Sequence, residues 1–164
     1  VDGQEVNSLT QDQKASLRLH TIGFVFQNFN LLAPLNAEEN VMMPLLLQHV
    51  ARDEAKHRTH NALERVNMLD RRKSLPKQLS GGQQQRIAIA RALVTNPKIV
   101  LCDEPTAALD SKSLVVVMQE LRHLADGGKS VVVVTHDPRL KPYANRIVEV
   151  NNGFVQETKE FTGH

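Results

Sequence analysis

Two features of this sequence could do chemistry: an adjacent pair of acids and a turn that starts with serine and two glycines. Asp103 and Glu104 follow an apolar run at residues 99–102, and the Ser-Gly-Gly turn at residues 80–82 opens a helical pattern. A helix N-terminus carries unpaired N–H groups and a partial positive charge, and glycine lets an anion approach them closely. Such a turn, together with paired carboxylates, is suited to a nucleoside triphosphate.

A second apolar run indicates where these groups meet. Residues 99–102 and the four valines at 131–134 are both typical of strands that are buried on both faces of a parallel sheet. Open α/β sheets bind ligands at the carboxyl ends of their strands. Since His136 lies just after the second run, we expect it to share one sheet rim with Asp103 and Glu104.

The rest of the pattern predicts the elements around this rim. Helices are expected at residues 10–19, from Asn36, at 53–66 and at 113–125, a strand at 22–26, and a hairpin whose strands at 146–150 and 154–156 flank Asn151-Asn152-Gly153. Asn36 and Glu39 fit an N-x-x-E capping box, and Pro44 should kink or end the helix that they open. We predict that Ser80 caps the helix that follows it.

Composition excludes several classes of protein. A chain of 164 residues can form one domain with a core, and a formal net charge of +2 is too small to indicate a nucleic-acid partner. The single cysteine, Cys102, lies in the apolar run and is predicted to be a core residue in a reducing compartment. No apolar run approaches the ~20 residues of a membrane-spanning helix. Any membrane role is therefore expected to depend on a partner.

These motifs resemble, in kind and in order, those of the nucleotide-binding subunits of ABC transporters. Residues 79–83, Leu-Ser-Gly-Gly-Gln, are similar to the signature, residues 99–104 to the Walker B segment and residues 107–110 to the D-loop. His136 matches the H-loop and Gln27 the Q-loop. Serine is common at the position that alanine occupies at the start of this D-loop, so the D-loop departs slightly from the pattern.

The resemblance implies hydrolysis of the β,γ bond of ATP, with Mg²⁺ as the metal ion. On this basis Asp103 would reach the metal and Glu104 would polarise the attacking water. His136 would contact the γ-phosphate, and Gln27 would touch both the metal and the water. Glu104, His136 and Gln27 are thus the expected catalytic residues, and Asp103 and Gln27 are the expected metal ligands.

The resemblance also implies partners. In the family, ATP is held between two protomers, so Ser80, Gly81, Gly82 and Gln83 would bind ATP in trans, and Asp110 would lie at the interface of a homodimer. A membrane-spanning permease would hold the ATPase at the cytoplasmic face of the inner membrane. Residues 22–32 and 39–41 look like the group for lipoprotein release, macrolide export and glycolipid export, in which a periplasmic adaptor often takes part.

The implied fold is α/β, with a P-loop NTPase-like, mostly parallel sheet and a helical signature subdomain. Residues 1–164 would form a single partial ABC ATPase domain. Residues 28–96 would be the inserted helical subdomain, and residues 97–164 would carry the Walker B segment, D-loop, H-loop and C-terminal hairpin.

A P-loop of the pattern G-x-x-x-x-G-K-[ST] is not found in the sequence. The nearest match, Gly128-Lys129-Ser130, has His123 where the first glycine should be, and it is predicted to be a helix C-cap and turn. Residues 1–6 resemble the stretch after the P-loop helix of the family. We therefore expect a piece without the N-terminal strands and P-loop, which lacks a central strand between the strand of residues 131–134 and that of 146–150.

Several features of the sequence allow two interpretations. The Met and Leu cluster at residues 42–47 is typical of a core stripe, although part of it could dock on the membrane subunit. His57 and His60 share a helix face and are predicted to be solvated rather than to bind a metal. The chain could also be a non-catalytic interaction module, whereas a DNA-repair ATPase should carry long heptad segments that this sequence lacks.

Overall fold

The computed structural model describes residues 3–160, so Val1 and Asp2 of the opening stretch, like residues 161–164, lie outside the described residues. The helices are α1 (Gln11–Thr21), α2 (Ala37–Leu47), α3 (Arg52–Arg65), α4 (Gly81–Leu93) and α5 (Ser111–Asp126). The strands are β1 (Ile22–Val25), β2 (Ile99–Asp103), β3 (Ser130–Val134), β4 (Arg146–Asn151) and β5 (Phe154–Glu160). Short 3-10 helices occupy Val6–Ser8, Leu69–Arg71, Pro76–Gln78 and Pro138–Tyr143.

Strands β1, β2 and β3 form a parallel sheet in that spatial order, and β4 pairs with β5 in a separate antiparallel sheet. Val25 lies beside Cys102, and Asp103 lies beside Val134. The carboxyl ends of the three parallel strands therefore lie along one rim, where such sheets bind ligands. This architecture confirms the predicted α/β class with a mostly parallel sheet.

The two faces of this parallel sheet differ in burial. Val100 and Cys102 are 0% and 3% exposed on the face where α4 packs against β1 and α5 packs against β3. Val132 and Val134 point to the opposite face and are 50% and 62% exposed. The prediction that both apolar runs are buried on both faces is therefore wrong. Within residues 3–160, the face that carries Val132 and Val134 is thus less covered than the face that carries Val100 and Cys102.

The helical region between β1 and β2 begins with the predicted capping box. The Glu39 N–H donates to Asn36 Oδ1 at 2.8 Å, and the Asn36 N–H donates to Glu39 Oε1 at 3.1 Å. Helix α2 continues past Pro44 to Leu47, so the proline does not end it. Pro44 lies in the last turn, where its missing N–H removes only one backbone hydrogen bond.

The Met and Leu cluster of α2 divides between core and surface. Met42 and Leu45 are buried, whereas Leu46 and Leu47 are 38% and 59% exposed. The core interpretation thus holds for two members of the cluster. The exposed pair leaves an apolar surface at the end of α2.

His60 differs from the prediction that it is solvated. Its Nε2 lies 2.6 Å from Glu38 Oε1, and the Lys73 ammonium lies 2.5 Å from the other oxygen of the same buried carboxylate. These contacts join α2, α3 and the loop after α3. Burial is the largest single influence on the pKa of Glu38 and raises it, but the hydrogen bonds and charges of Lys73 and His60 together outweigh burial, so the pKa is lowered. His57 is exposed, as predicted. Among residues 3–160, no group of three or more metal-ligating side chains is found.

The C-terminal part follows the predicted pattern. Strand β4 returns as β5 through a turn in which Asn152 and Gly153 have φ of 49° and 81°, as the favoured two-residue hairpin turn requires. Gly127 is the C-cap of α5, and Gly128 follows it in the turn with φ of 93°. The predicted cap and turn are therefore present, but the cap lies one residue before the Gly-Lys-Ser stretch, and Ser130 already belongs to β3. In the part of the chain that the structure describes, no helix is long and apolar enough to cross a membrane.

Candidate nucleotide site

The acidic pair stands at the carboxyl end of the central strand. Asp103 is the exposed last residue of β2. Glu104 follows with φ of 46°, in the left-handed region that non-glycine residues rarely adopt, and its N–H donates to Val134 O at 2.8 Å. A backbone strained in this way is often found at functional sites, and here it changes the direction of the chain at the rim.

The Glu104 carboxylate is held by the segment that follows β3. Its Oε1 accepts a hydrogen bond from the His136 N–H and its Oε2 accepts one from Thr135 Oγ1, each at 3.0 Å. The His136 imidazole Nε2 lies 3.8 Å from Oε1. The Glu104 side chain is 16% exposed and the His136 side chain is 100% exposed. The structure thus brings the predicted acid and histidine together, with the imidazole open to solvent.

Further polar groups, which the sequence pattern did not predict, fix this segment. Thr135 Oγ1 accepts from the Asp137 N–H at 3.0 Å, and Asp137 accepts from the backbone and guanidinium of Arg139. The hydrogen bond from Arg139 lowers the pKa of Asp137. Thr106, which is fully buried, directs its hydroxyl toward Asp137 Oδ2 at 3.4 Å. The segment at residues 135–137 is therefore joined to the loop that follows the acidic pair.

Gln27 lies at the same rim, two residues beyond the end of β1, and it is exposed. The loop after it is tied to α4 by Arg91, which donates to the carbonyl groups of Phe29 at 2.9 Å and Asn30 at 2.8 Å. Burial lowers the pKa of the Arg91 guanidinium. An arginine in the last turn of a helix carries no sequence signal for such a long-range contact, so this link was not predicted.

The signature turn begins α4 as predicted. The Gln83 N–H donates to Ser80 Oγ at 3.2 Å, and the Ser80 N–H donates to Gln83 Oε1 at 2.9 Å, which completes a capping box. Gly81 and Gly82 are the first residues of the helix, where backbone N–H groups have no partner within the helix. The turn therefore presents backbone donors at the positive end of a 13-residue helix.

The signature turn and the D-loop form the walls of one open groove of about 470 Å³. Ala108 and Asp110 line one side of it, and residues 80–83 line the other. A Cβ on Gly82 would lie 2.9 Å from Ala108 O, whereas a Cβ on Gly81 would meet nothing closer than 3.7 Å. Close packing thus requires a glycine at position 82 but not at position 81.

Asp110 has a structural role that the pattern did not predict. It is the N-cap of α5, where its carboxylate accepts from the Ser113 N–H at 2.7 Å. This backbone hydrogen bond is the largest cause of its lowered pKa. Asp110 is nevertheless exposed at the groove, so it remains available to a second chain.

The donor set at the rim fits Mg²⁺. Asp103 and Gln27 offer a carboxylate and an amide oxygen, the hard ligands that this ion prefers. In the described part of the chain, no cluster of three or more acidic, histidine or cysteine ligands is preformed.

A cleft of about 740 Å³ separates β3 from β4. His136 and Asp137 stand beside this cleft, together with the exposed Val132. Within residues 3–160, β3 pairs only with β2, so its other edge faces the cleft. The cleft lies where the sequence resemblance implies a further strand.

Comparison with known proteins identifies relatives. Residues 1–107 match the family described as ABC transporter. An uncharacterized ABC transporter ATP-binding protein, YknY of Bacillus subtilis, is 44% identical over 155 residues, which cover 94% of this chain and 67% of YknY. The macrolide export ATP-binding/permease protein MacB of Escherichia coli is also 44% identical over 155 residues. Its match covers 94% of this chain but only 24% of MacB, so the chain spans about a quarter of that relative.

Solved structures agree with the sequence matches. The ATP-binding cassette MJ0796, in a dimeric post-hydrolysis state bound to ADP and Pi, superposes with a TM-score of 0.91 at 41% identity. A second dimeric structure of this cassette gives the same values. Each superposition covers 100% of this chain and 73% of the cassette.

Proposed function

The chain belongs to the ABC transporter family, and from this membership we propose that it works as the ATP-hydrolysing subunit of an exporter. Members of the family bind ATP, and a relative of the same fold holds ADP and Pi. The observation that carries the proposal is the contact of Glu104 with residues 135 and 136 at the strand rim. An acid and an exposed imidazole at one rim are the groups that a hydrolytic site needs.

In the proposed reaction, water adds to the γ-phosphorus, and the bond from that phosphorus to the β,γ-bridging oxygen breaks. The proton of the water passes to the Glu104 carboxylate, whose two anchoring hydrogen bonds fix its direction. General base catalysis of this kind contributes a factor of ~10² to 10⁴. The His136 imidazole, fully exposed beside Glu104, would donate a hydrogen bond to the developing negative charge on the phosphoryl oxygens.

Asp103 and Gln27 would hold Mg²⁺, which neutralises charge on the phosphates when it is bound. Both side chains are exposed, so they can reach a ligand outside the protein surface. Neither side chain then needs to move a proton. Their proposed task is to bind and orient the substrate.

The groove between residues 80–83 and the D-loop, here called the signature groove, is proposed to act on the nucleotide of a second protomer. Gly81 and Gly82 present backbone N–H groups at a helix N-terminus, which suits an anion. Ser80, Gln83 and Asp110 surround the same groove. The dimeric state of the MJ0796 cassette supports a homodimer in which this groove faces the partner's triphosphate.

A permease is the proposed membrane partner, because MacB joins an ATP-binding part and a permease in one protein. We propose that Leu46 and Leu47, the exposed end of α2, form part of the surface that contacts it. This contact would hold the subunit at the cytoplasmic face of the membrane. A periplasmic adaptor would complete an exporter of the macrolide type.

The test is hydrolysis by the whole protein that carries this sequence, compared with its Glu104→Gln variant. We expect the wild-type protein to hydrolyse ATP and the variant to bind ATP normally while its turnover falls by ~10² to 10⁴. A wild-type protein that binds its partners without hydrolysing ATP would instead support a non-catalytic interaction module. Unchanged turnover in the variant would remove Glu104 from the mechanism.

A further inference from the structure

The hydroxyl of Thr135 has a defined direction in the structure. A threonine hydroxyl carries one proton and can also accept hydrogen bonds. The Asp137 N–H, which can only donate, supplies a proton to Thr135 Oγ1 at 3.0 Å. The proton of Thr135 is therefore free to point to Glu104 Oε2, also at 3.0 Å. The two contacts together make Thr135 a donor to the acid.

The two oxygens of Glu104 have different partners. Oε2 is taken by the Thr135 hydroxyl, whereas Oε1 accepts from the His136 N–H and lies 3.8 Å from the exposed imidazole. Oε1 is therefore the oxygen that the structure places beside the imidazole expected at the γ-phosphate. A carboxylate held by one oxygen alone could rotate about its last bond, because that torsion is broad.

Thr135 is itself held by a support that does not touch Glu104. Asp137 is fixed by its hydrogen bonds from the Arg139 guanidinium, at 2.6 Å for the shortest, and from the buried Thr106. The order of contacts thus runs from Arg139 and Thr106 through Asp137 to Thr135 and then to Glu104. This series of hydrogen bonds restricts the side-chain rotamer of Thr135.

We propose that Thr135 is a positioning residue for ATP hydrolysis, whose hydroxyl holds Glu104 Oε2 so that Oε1 receives the proton of the attacking water. The proposal rests on the proposed function of Glu104 as the base and adds a second residue to it. Thr135 contacts neither the substrate nor the metal in this scheme. It acts only through the carboxylate.

The experiment uses the whole protein in which this sequence occurs and compares Thr135→Val with Thr135→Ser. Valine keeps the branched shape and removes the hydroxyl, whereas serine keeps the hydroxyl. We expect Thr135→Val to lower kcat by about tenfold or more, with KM unchanged, because a hydrogen bond to a charged group is lost. Thr135→Ser should retain most of the wild-type kcat.

A double-mutant cycle with Glu104→Gln separates positioning from a general structural effect. If Thr135 acts through the Glu104 carboxylate, Thr135→Val should cause no further loss of single-turnover rate once that carboxylate is replaced. A purely structural role would lower the rate in both backgrounds. If Thr135→Val does not fold, the comparison of Thr135→Ser and Thr135→Ala in the same cycle replaces it.

Three outcomes would overturn the proposal: an unchanged or raised kcat in a folded Thr135→Val protein, equal losses in the serine and valine variants, or additive effects in the cycle. Absence of hydrolysis in the wild-type protein is a different result. It would overturn the proposed function itself, and the wild-type control detects it before any variant is compared.

Discussion

The Glu104 rim and the signature groove are built in opposite ways. At the rim, side-chain hydrogen bonds from residues 135 and 136 fix a carboxylate. At the groove, Gly82 packs so closely that a Cβ added to it would lie 2.9 Å from Ala108 O. The donors there are backbone N–H groups of the helix N-terminus. The rim should therefore be sensitive to loss of a polar atom, and the groove to addition of a carbon atom.

The largest expected effect is at the rim. His136→Ala should lower turnover by ~10² to 10³, because one donor to the developing charge is lost. Its side chain is fully exposed, so the thermal unfolding midpoint should stay at the wild-type value. Steady-state ATPase rates and a melting curve on the same preparation check both points. A large fall in the melting temperature would mean that the imidazole supports the fold.

The second largest effect is expected from a substitution in the signature groove, compared with a substitution at the neighbouring residue. Gly82→Ala should destabilise the protein by about 1–3 kcal/mol, because its new Cβ meets a backbone oxygen that cannot move aside easily. Gly81→Ala is the matched control, since the space there allows an ordinary contact at 3.7 Å. Denaturant unfolding of both variants measures the difference. Equal stabilities would contradict the packing description of the groove.

A smaller effect is expected at the cap of α5, which borders the groove. Asp110→Ala should lower the thermal midpoint, because the Ser113 N–H loses its acceptor, whereas Asp110→Asn should keep the cap. The pKa of folded Asp110 is lowered, so its stabilisation is present above the unfolded pKa and is lost as pH falls through the folded pKa.

The loss of stability at acid pH gives a more specific test of the role of the Asp110 carboxylate. The wild-type protein should lose part of its stability in the acid range, and the Asp110→Asn variant should lose less over the same range. Thermal midpoints measured as a function of pH for the two proteins provide the comparison. Identical acid limbs would show that Asp110 is not stabilising in its charged form.

Local signals in the sequence predicted much of the fold. The capping box at Asn36, the N-cap at Ser80 and the Asn-Gly hairpin depend on neighbouring residues, so their chemistry is visible in the sequence. The coverage of a sheet face is different, because it depends on elements distant in the chain. A run of four valines is compatible with a sheet that is covered on one face or on both. The exposure of Val132 could therefore not be predicted from the run.

The same distinction applies to the site. Asp103, Glu104 and His136 were predicted at one rim because each comes after an apolar run, and the structure places them there. Thr135 and Arg91 were missed because their contacts span 31 and 62 residues, and neither has a short motif of its own. His60 was misassigned for the same reason, since its partner Glu38 lies 22 residues away.

Mixing two inactive variants tests the central claim, that the Glu104 rim and the signature groove of one chain serve different nucleotides. Glu104→Gln disables the rim, and Gly81→Asp places a negative charge in the groove at a position with space for a side chain. Each homodimer should be inactive. In a mixed dimer, one nucleotide would still meet an intact rim and an intact groove, so mixing the two variants should restore ATP hydrolysis. A mixture whose subunits exchange but which stays as inactive as its components would contradict the account.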